Sequence, residues 1–139
     1  MIALDTNVLV RLFVQPADDE ERLQQAIAVQ QLKLPKAFFV PLTVALELAW
    51  VLGRVYECSP QVLKDVFDHL TRMANVEVEG SSDLIRAAEF HVKGLDFADA
   101  LHCLRSVGCA SLLTFDDRRF ARKARRMGLH PTVVVPELI

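Results

Sequence analysis

The sequence predicts an α/β domain whose mostly parallel sheet is covered on both faces. Three observations carry this expectation. Short apolar runs alternate with longer stretches of helical spacing along the whole chain. Pro, Gly and Ser-Pro signals separate the segments, and no repeat, low-complexity tract or flexible linker interrupts them. The 139 residues are 52% hydrophobic, which suits one compact core and leaves a second one cramped. One domain spanning residues 1–139 is therefore expected.

The elements follow in order. Ile2-Ala3-Leu4 reads as a short buried strand, and Thr6 to Phe13 as a helix stopped near Pro16. Asp18 to Leu32 places Asp18, Asp19, Glu20 and Glu21 in a first turn and Leu23, Ala26 and Ile27 at helical spacing, as the helix dipole and period require. Phe38-Phe39-Val40 is a second strand, closed by Pro41, and Thr43 is placed to cap a helix running to about Tyr56. Ser59-Pro60 is a cap followed by an N1 proline, opening a helix to about Met73. Val76-Glu77-Val78 alternates as a strand does. Helices over Ser82–Lys93 and Phe97–Val107 end at Gly94 and Gly108. Ser111 to Phe115 reads as a buried strand, Asp117 to Met127 as a helix ended by Gly128, and Thr132 to Val135 as the last strand. In such sheets, ligands bind beyond the carboxyl ends of the strands.

Charge and cysteine content remove several classes. With 16 Lys+Arg against 18 Asp+Glu, the net charge is −2, so a nucleic-acid partner needs a local basic patch. Cys58, Cys103 and Cys109 form no Cys-x-x-Cys pair, which argues against both a disulfide framework and a zinc site. Asp5 falls early, with no basic stretch before an apolar run, so no signal peptide is read there. Pro41 and Glu47 break the most apolar region, Ala37–Gly53, before it could span a bilayer. A cytoplasmic protein that avoids membranes is expected.

Four carboxylates stand where charge is costly. Asp5 is the one charge among the first ten residues, and Glu47 the one charge from Ala37 through Gly53. The helix around Glu47 is apolar on nearly every side, and its nearest cation, Arg54, is about two turns away. An unpaired buried carboxylate costs several kcal/mol. Asp99 lies in the first turn of a helix, and Asp116 follows a strand. Asp5, Asp96 and Asp116 each have a plainer use as helix N-caps, and Asp96 with Asp99 could form a capping-box-like pair. Glu47 has no such alternative. If the four acids meet, two carboxylates about 5 Å apart repel by roughly 3 kcal/mol at an effective dielectric of about 20. A hard divalent cation relieves that repulsion, and all-oxygen ligation favours Mg²⁺ or Mn²⁺.

The run Asp5-Thr6-Asn7-Val8-Leu9-Val10-Arg11, Glu47 in its helix, Asp96-Phe97-Ala98-Asp99-Ala100 and Thr114-Phe115-Asp116, taken together and in order, resemble the PIN-domain family. The nearest likeness is to the VapC-like toxins of bacterial toxin–antitoxin pairs. The resemblance implies a three-layer α/β/α sandwich with a short central sheet and Mg²⁺- or Mn²⁺-dependent endoribonuclease activity. It places the acidic quartet on Asp5, Glu47, Asp99 and Asp116, with Asp96 as a further metal-binding acid. Thr6 or Asn7, and Thr114, match the supporting polar residues. It implies an RNA substrate, a small antitoxin and a homodimer. It also leaves room for a PIN nuclease of RNA processing that is no toxin. In the doublet Asp116-Asp117, the Thr-x-Asp spacing favours Asp116.

Arg118, Arg119, Arg122, Lys123, Arg125 and Arg126 crowd one helix, whose apolar stripe is Phe120, Ala121, Ala124 and Met127. That pattern fits a solvated face as well as an RNA contact. Its start beside Asp116 favours phosphate binding by Arg118, Arg119, Arg122, Lys123 and Arg126, with help from Arg11. His102 is expected to be partly buried, Cys58 and Cys103 to be core thiols, and Trp50 to pack in the core rather than stack on a base. A receiver-like Mg-binding signalling module is the rival from another class. It would want paired acids at the first strand and a lysine after the last, and this chain has neither.

Overall fold

The computed structural model describes residues Met1–Ile139. Two compact units divide the chain, Met1–Ser81 and Ser82–Ile139. The first holds β1 (Ile2–Ala3), α1 (Thr6–Phe13), α2 (Asp19–Leu32), β2 (Phe38–Val40), α3 (Leu42–Arg54), α4 (Pro60–Arg72) and β3 (Val76–Val78). Its strands form a parallel sheet in the order β1-β2-β3, with Ile2 opposite Phe38 and Phe38 opposite Val76. Parallel neighbours need crossover helices, and α1 with α2, then α3 with α4, supply them. Phe38, Val40, Leu9, Leu48, Leu52, Leu63, Phe67 and Leu70 are fully buried. α4 begins as the sequence predicts, with Ser59 accepting from the Val62 N–H and Pro60 in the first turn.

The second unit contains α5 (Ser81–Val92), α6 (Phe97–Leu104), β4 (Ser111–Leu113), a π-helical turn (Asp117–Ala121), α7 (Arg122–Arg126) and β5 (Thr132–Val134). β4 and β5 pair in parallel, with Ser111 opposite Thr132. Leu84, Ala87, Leu95, Ala100, Cys103, Ala121, Ala124 and Val133 are buried. All strand pairings are parallel, as the short apolar runs led us to expect, and the architecture is a PIN-like α/β fold. The strands pair as two sheets.

Several local expectations are corrected. β1 is exposed rather than buried at Ile2 and Ala3, and only Leu4 just beyond it is buried. β4 is likewise largely exposed, with Phe115 just beyond it 86% accessible. Thr43 does not cap α3. The cap position is Pro41, which has no side-chain bond, and the Leu42 N–H donates instead to Glu79 Oε1 at 2.8 Å. The helix predicted from Asp117 opens as a π turn, in which the Ala121 N–H reaches the Asp116 carbonyl at 3.0 Å. Within that turn Phe120 and Ala121 are both buried.

Candidate active site

Each acid is set by the element that begins beside it. In the first unit the β1–β2 pairing continues one step, as the Leu4 N–H donates to the Phe39 carbonyl at 2.9 Å. Asp5 follows and becomes the N-cap of α1, its Oδ1 accepting from the Thr6 N–H at 2.8 Å. Thr6, only 6% exposed, donates its hydroxyl across to Glu47 Oε1 on α3. Their separation of 41 positions in sequence is closed by the packing of α1 on α3. Asp5 and Glu47 thus line one pocket of about 360 Å³, together with Thr6, Asn7, Val10, Arg11, Val51 and Tyr56.

Glu47 is exposed, contrary to the burial expected of it. The apolar composition of α3 conceals a solvent-facing stripe of Thr43, Glu47, Trp50 and Arg54 at helical spacing. Trp50 belongs to that stripe and is 59% exposed, so it is no core residue.

In the second unit Asp96 caps α6, accepting from the Asp99 N–H at 3.1 Å. Only that half of the proposed reciprocal pair is formed. Asp116 caps the π turn, its Oδ1 accepting from the Arg119 N–H at 2.9 Å, while Thr114 Oγ1 accepts from the Asp116 N–H at 3.1 Å. Asp99 is half-buried on the exposed side of α6 that also carries His102. Its carboxyl is pushed up to about 6, first by burial and then by Asp96, with Asp116 adding to the shift and His102 opposing it. Asp96 and Asp116 therefore both act on Asp99 within this unit. His102 is exposed rather than partly buried, and Cys103 is buried with its thiol pushed up by that burial.

The cations separate Asp116 from its neighbour. Asp117 is bridged by Arg122 at 3.0 Å and by Arg125 at 3.7 Å. Asp116, Asp5, Glu47, Asp96 and Asp99 take part in none of the protein's ion pairs. Lys123 donates to the Gly94 carbonyl at 2.9 Å. Arg11 is bound to Glu21 at 3.1 Å and to Gln24 at 2.8 Å. Arg118, Arg119 and Arg126 are exposed and carry no ion pair. The role of Asp117 was not readable from the sequence, since separations of five and eight residues are not those that pair side chains along an ordinary helix. The Glu79 cap gave no local signal, being 37 residues from its helix.

No three His, Cys, Asp or Glu side chains converge closely enough to ligate one ion. The donor chemistry nonetheless suits a hard cation. The donors are carboxylates outside the protein's ion pairs, and Asp99 is destabilised as an anion first by burial and then by its acidic neighbours.

The PIN domain family model matches residues 2–126, which is all of the first unit but Met1 and the second unit as far as the end of α7. The chain belongs to the PIN domain family. Comparison with curated proteins finds no match. PIN domains are generally nucleases, typically metal-dependent, and a nucleic acid is their substrate. No helix is long and apolar enough to cross a membrane.

Proposed function

We propose that this protein is a metal-dependent endoribonuclease that hydrolyses phosphodiester bonds of single-stranded or structured RNA. The observation that carries the reading is the coincidence of the family match with acids that lack cationic partners at both family positions of each unit. Asp5 and Glu47 in the first unit, with Asp99 and Asp116 in the second, are the acids on which cleavage depends. Asp96 adds a further carboxylate. The ion pairs of Asp117 support choosing Asp116 from the doublet.

Asp5 and Glu47 in the first unit, and Asp96, Asp99 and Asp116 in the second, would hold Mg²⁺ or Mn²⁺. When bound, such an ion neutralises charge on the phosphate and lowers the pKa of water. The protein's own groups do the positioning. Thr6 fixes the Glu47 carboxylate through its hydroxyl, Thr114 fixes the backbone of Asp116, and Asn7 offers an amide at the pocket. Arg118, Arg119 and Arg126 are the cations best placed to hold phosphate, since no carboxylate neutralises them. Arg11, Arg122 and Lys123 contribute after release from their present partners. Physiologically, the reading is a VapC-like cytoplasmic toxin that pairs with itself and is restrained by a small antitoxin.

Asp5→Asn tests the chemistry. The amide keeps the capping oxygen, so the variant should fold with an unchanged circular dichroism spectrum. It should lose cleavage of single-stranded RNA in Mn²⁺ by at least about a hundredfold, the scale on which a charge aimed at the transition state acts. Equal cleavage by variant and wild type would refute the assignment.

A further inference from the structure

The pocket that holds Asp5 and Glu47 has a second wall of a different character. Val10, Val51 and Tyr56 form it. Tyr56 lies just past the end of α3, where the chain turns back on the helix. The Tyr56 N–H donates to the Val51 carbonyl at 3.3 Å and the Cys58 N–H to the Leu52 carbonyl at 2.9 Å. Between these bonds Glu57 takes φ 53°, and no other non-glycine residue has a positive φ. A left-handed conformation is costly for such a side chain and is retained where the surroundings demand it. Here the turn holds an aromatic ring, 38% exposed, at a pocket that also contains two acids.

An exposed ring beside an aliphatic floor is the surface on which a nucleobase stacks, and every base has a π-face to offer it. The pocket volume of about 360 Å³ lies at the small end of the range for small-molecule sites, roughly 300–1,000 Å³. It accommodates one nucleotide and not a duplex. A base held in a helix cannot enter without unpairing. The geometry points to a nucleobase subsite, in which Tyr56 and Val51 receive one unpaired base of the RNA strand beside the scissile phosphate. This rests on the nuclease reading above and adds a residue that contacts the substrate. Tyr56 receives a base only where that base is free to stack. Stacking tolerates all four bases, so the selection is for unpaired over paired RNA rather than for one letter.

The test is steady-state cleavage in Mn²⁺ of a short single-stranded RNA, either intact or with one abasic position moved along both sides of the cut. Wild type, Tyr56→Phe and Tyr56→Leu are compared, with folding checked by circular dichroism. Tyr56→Leu should raise KM on intact RNA by roughly five- to a hundredfold, the value of one stacked base, and Tyr56→Phe should retain wild-type KM. One abasic position should penalise the wild type by the same factor and cost Tyr56→Leu nothing further. A merely structural role for Tyr56 would leave that abasic penalty intact in the variant, and this result would overturn the subsite. So would a wild type that cleaves RNA with no abasic position penalised, an arm that needs no variant to fold. A wild type inert on all RNA would bring down the nuclease reading and the subsite with it.

Discussion

Asp99 is the acid with the least room for its charge. Burial and the neighbouring Asp96 and Asp116 raise its carboxyl from 3.8 to about 6. At Asp99 the folded state therefore binds a proton more tightly than the unfolded chain, so this group's contribution to stability without metal is fully present below about pH 4 and is lost as pH rises through 6. Asp99→Asn removes the penalty. We expect the variant to be more stable than wild type at pH 7, on the order of 1 kcal/mol after allowance for solvent screening. The difference should vanish near pH 3.5, where both forms are neutral. Urea melts in a chelator at the two pH values check this. A variant less stable than wild type at pH 7 would show that the Asp99 anion is favoured in the fold. At this scale the capping acids were legible, because Asp5, Asp96 and Asp116 each precede a helix and each accepts from its first turn. The link from Thr6 to Glu47 was not legible, since it joins residues far apart in sequence. The exposure of Glu47 was misread because the residues flanking it are apolar while its own helical face is not.

Among the elements, the basic segment after Asp116 holds two kinds of cation. Asp117 neutralises Arg122 and Arg125 from within the π turn, whereas Arg118 and Arg119 have no carboxylate partner. Each phosphate contact to a single strand adds about 0.7 to the slope of log affinity against log salt. We expect Arg118→Gln with Arg119→Gln to flatten that slope by up to about 1.4 for RNA bound in a chelator. Arg122→Gln should change it less, because exposed ion pairs compete weakly but measurably. Fluorescence anisotropy between low and physiological salt decides the matter, and equal slopes for all variants would remove the basic segment from the RNA site. Helices were readable from caps and period: Ser59-Pro60, the acids at Asp18–Glu21, and Gly94, Gly108 and Gly128. The π turn was not, since the same residues read equally well as a turn of α-helix. The cap of α3 was not either, since Glu79 arrives from beyond β3.

For the molecule as a whole, a net charge of −2 means that RNA binding must come from local chemistry rather than global attraction. The acids are divided between the two units, and each set is held by caps and threonines of its own. Parallel pairing was foreseeable from short apolar strands joined by helices. Which strand residues would be exposed was not, because Ile2 and Leu113 are as apolar as the buried Phe38 and Val133. The central claim is that these carboxylates bind a divalent ion. Thermal melting of wild type and Asp99→Asn, with and without Mn²⁺, addresses it most directly. At an ion concentration a hundredfold above Kd, binding adds about 2.7 kcal/mol, so the wild-type midpoint should rise by several degrees. Asp99→Asn should start higher and respond less. Wild-type and variant midpoints that both ignore Mn²⁺ would contradict the account.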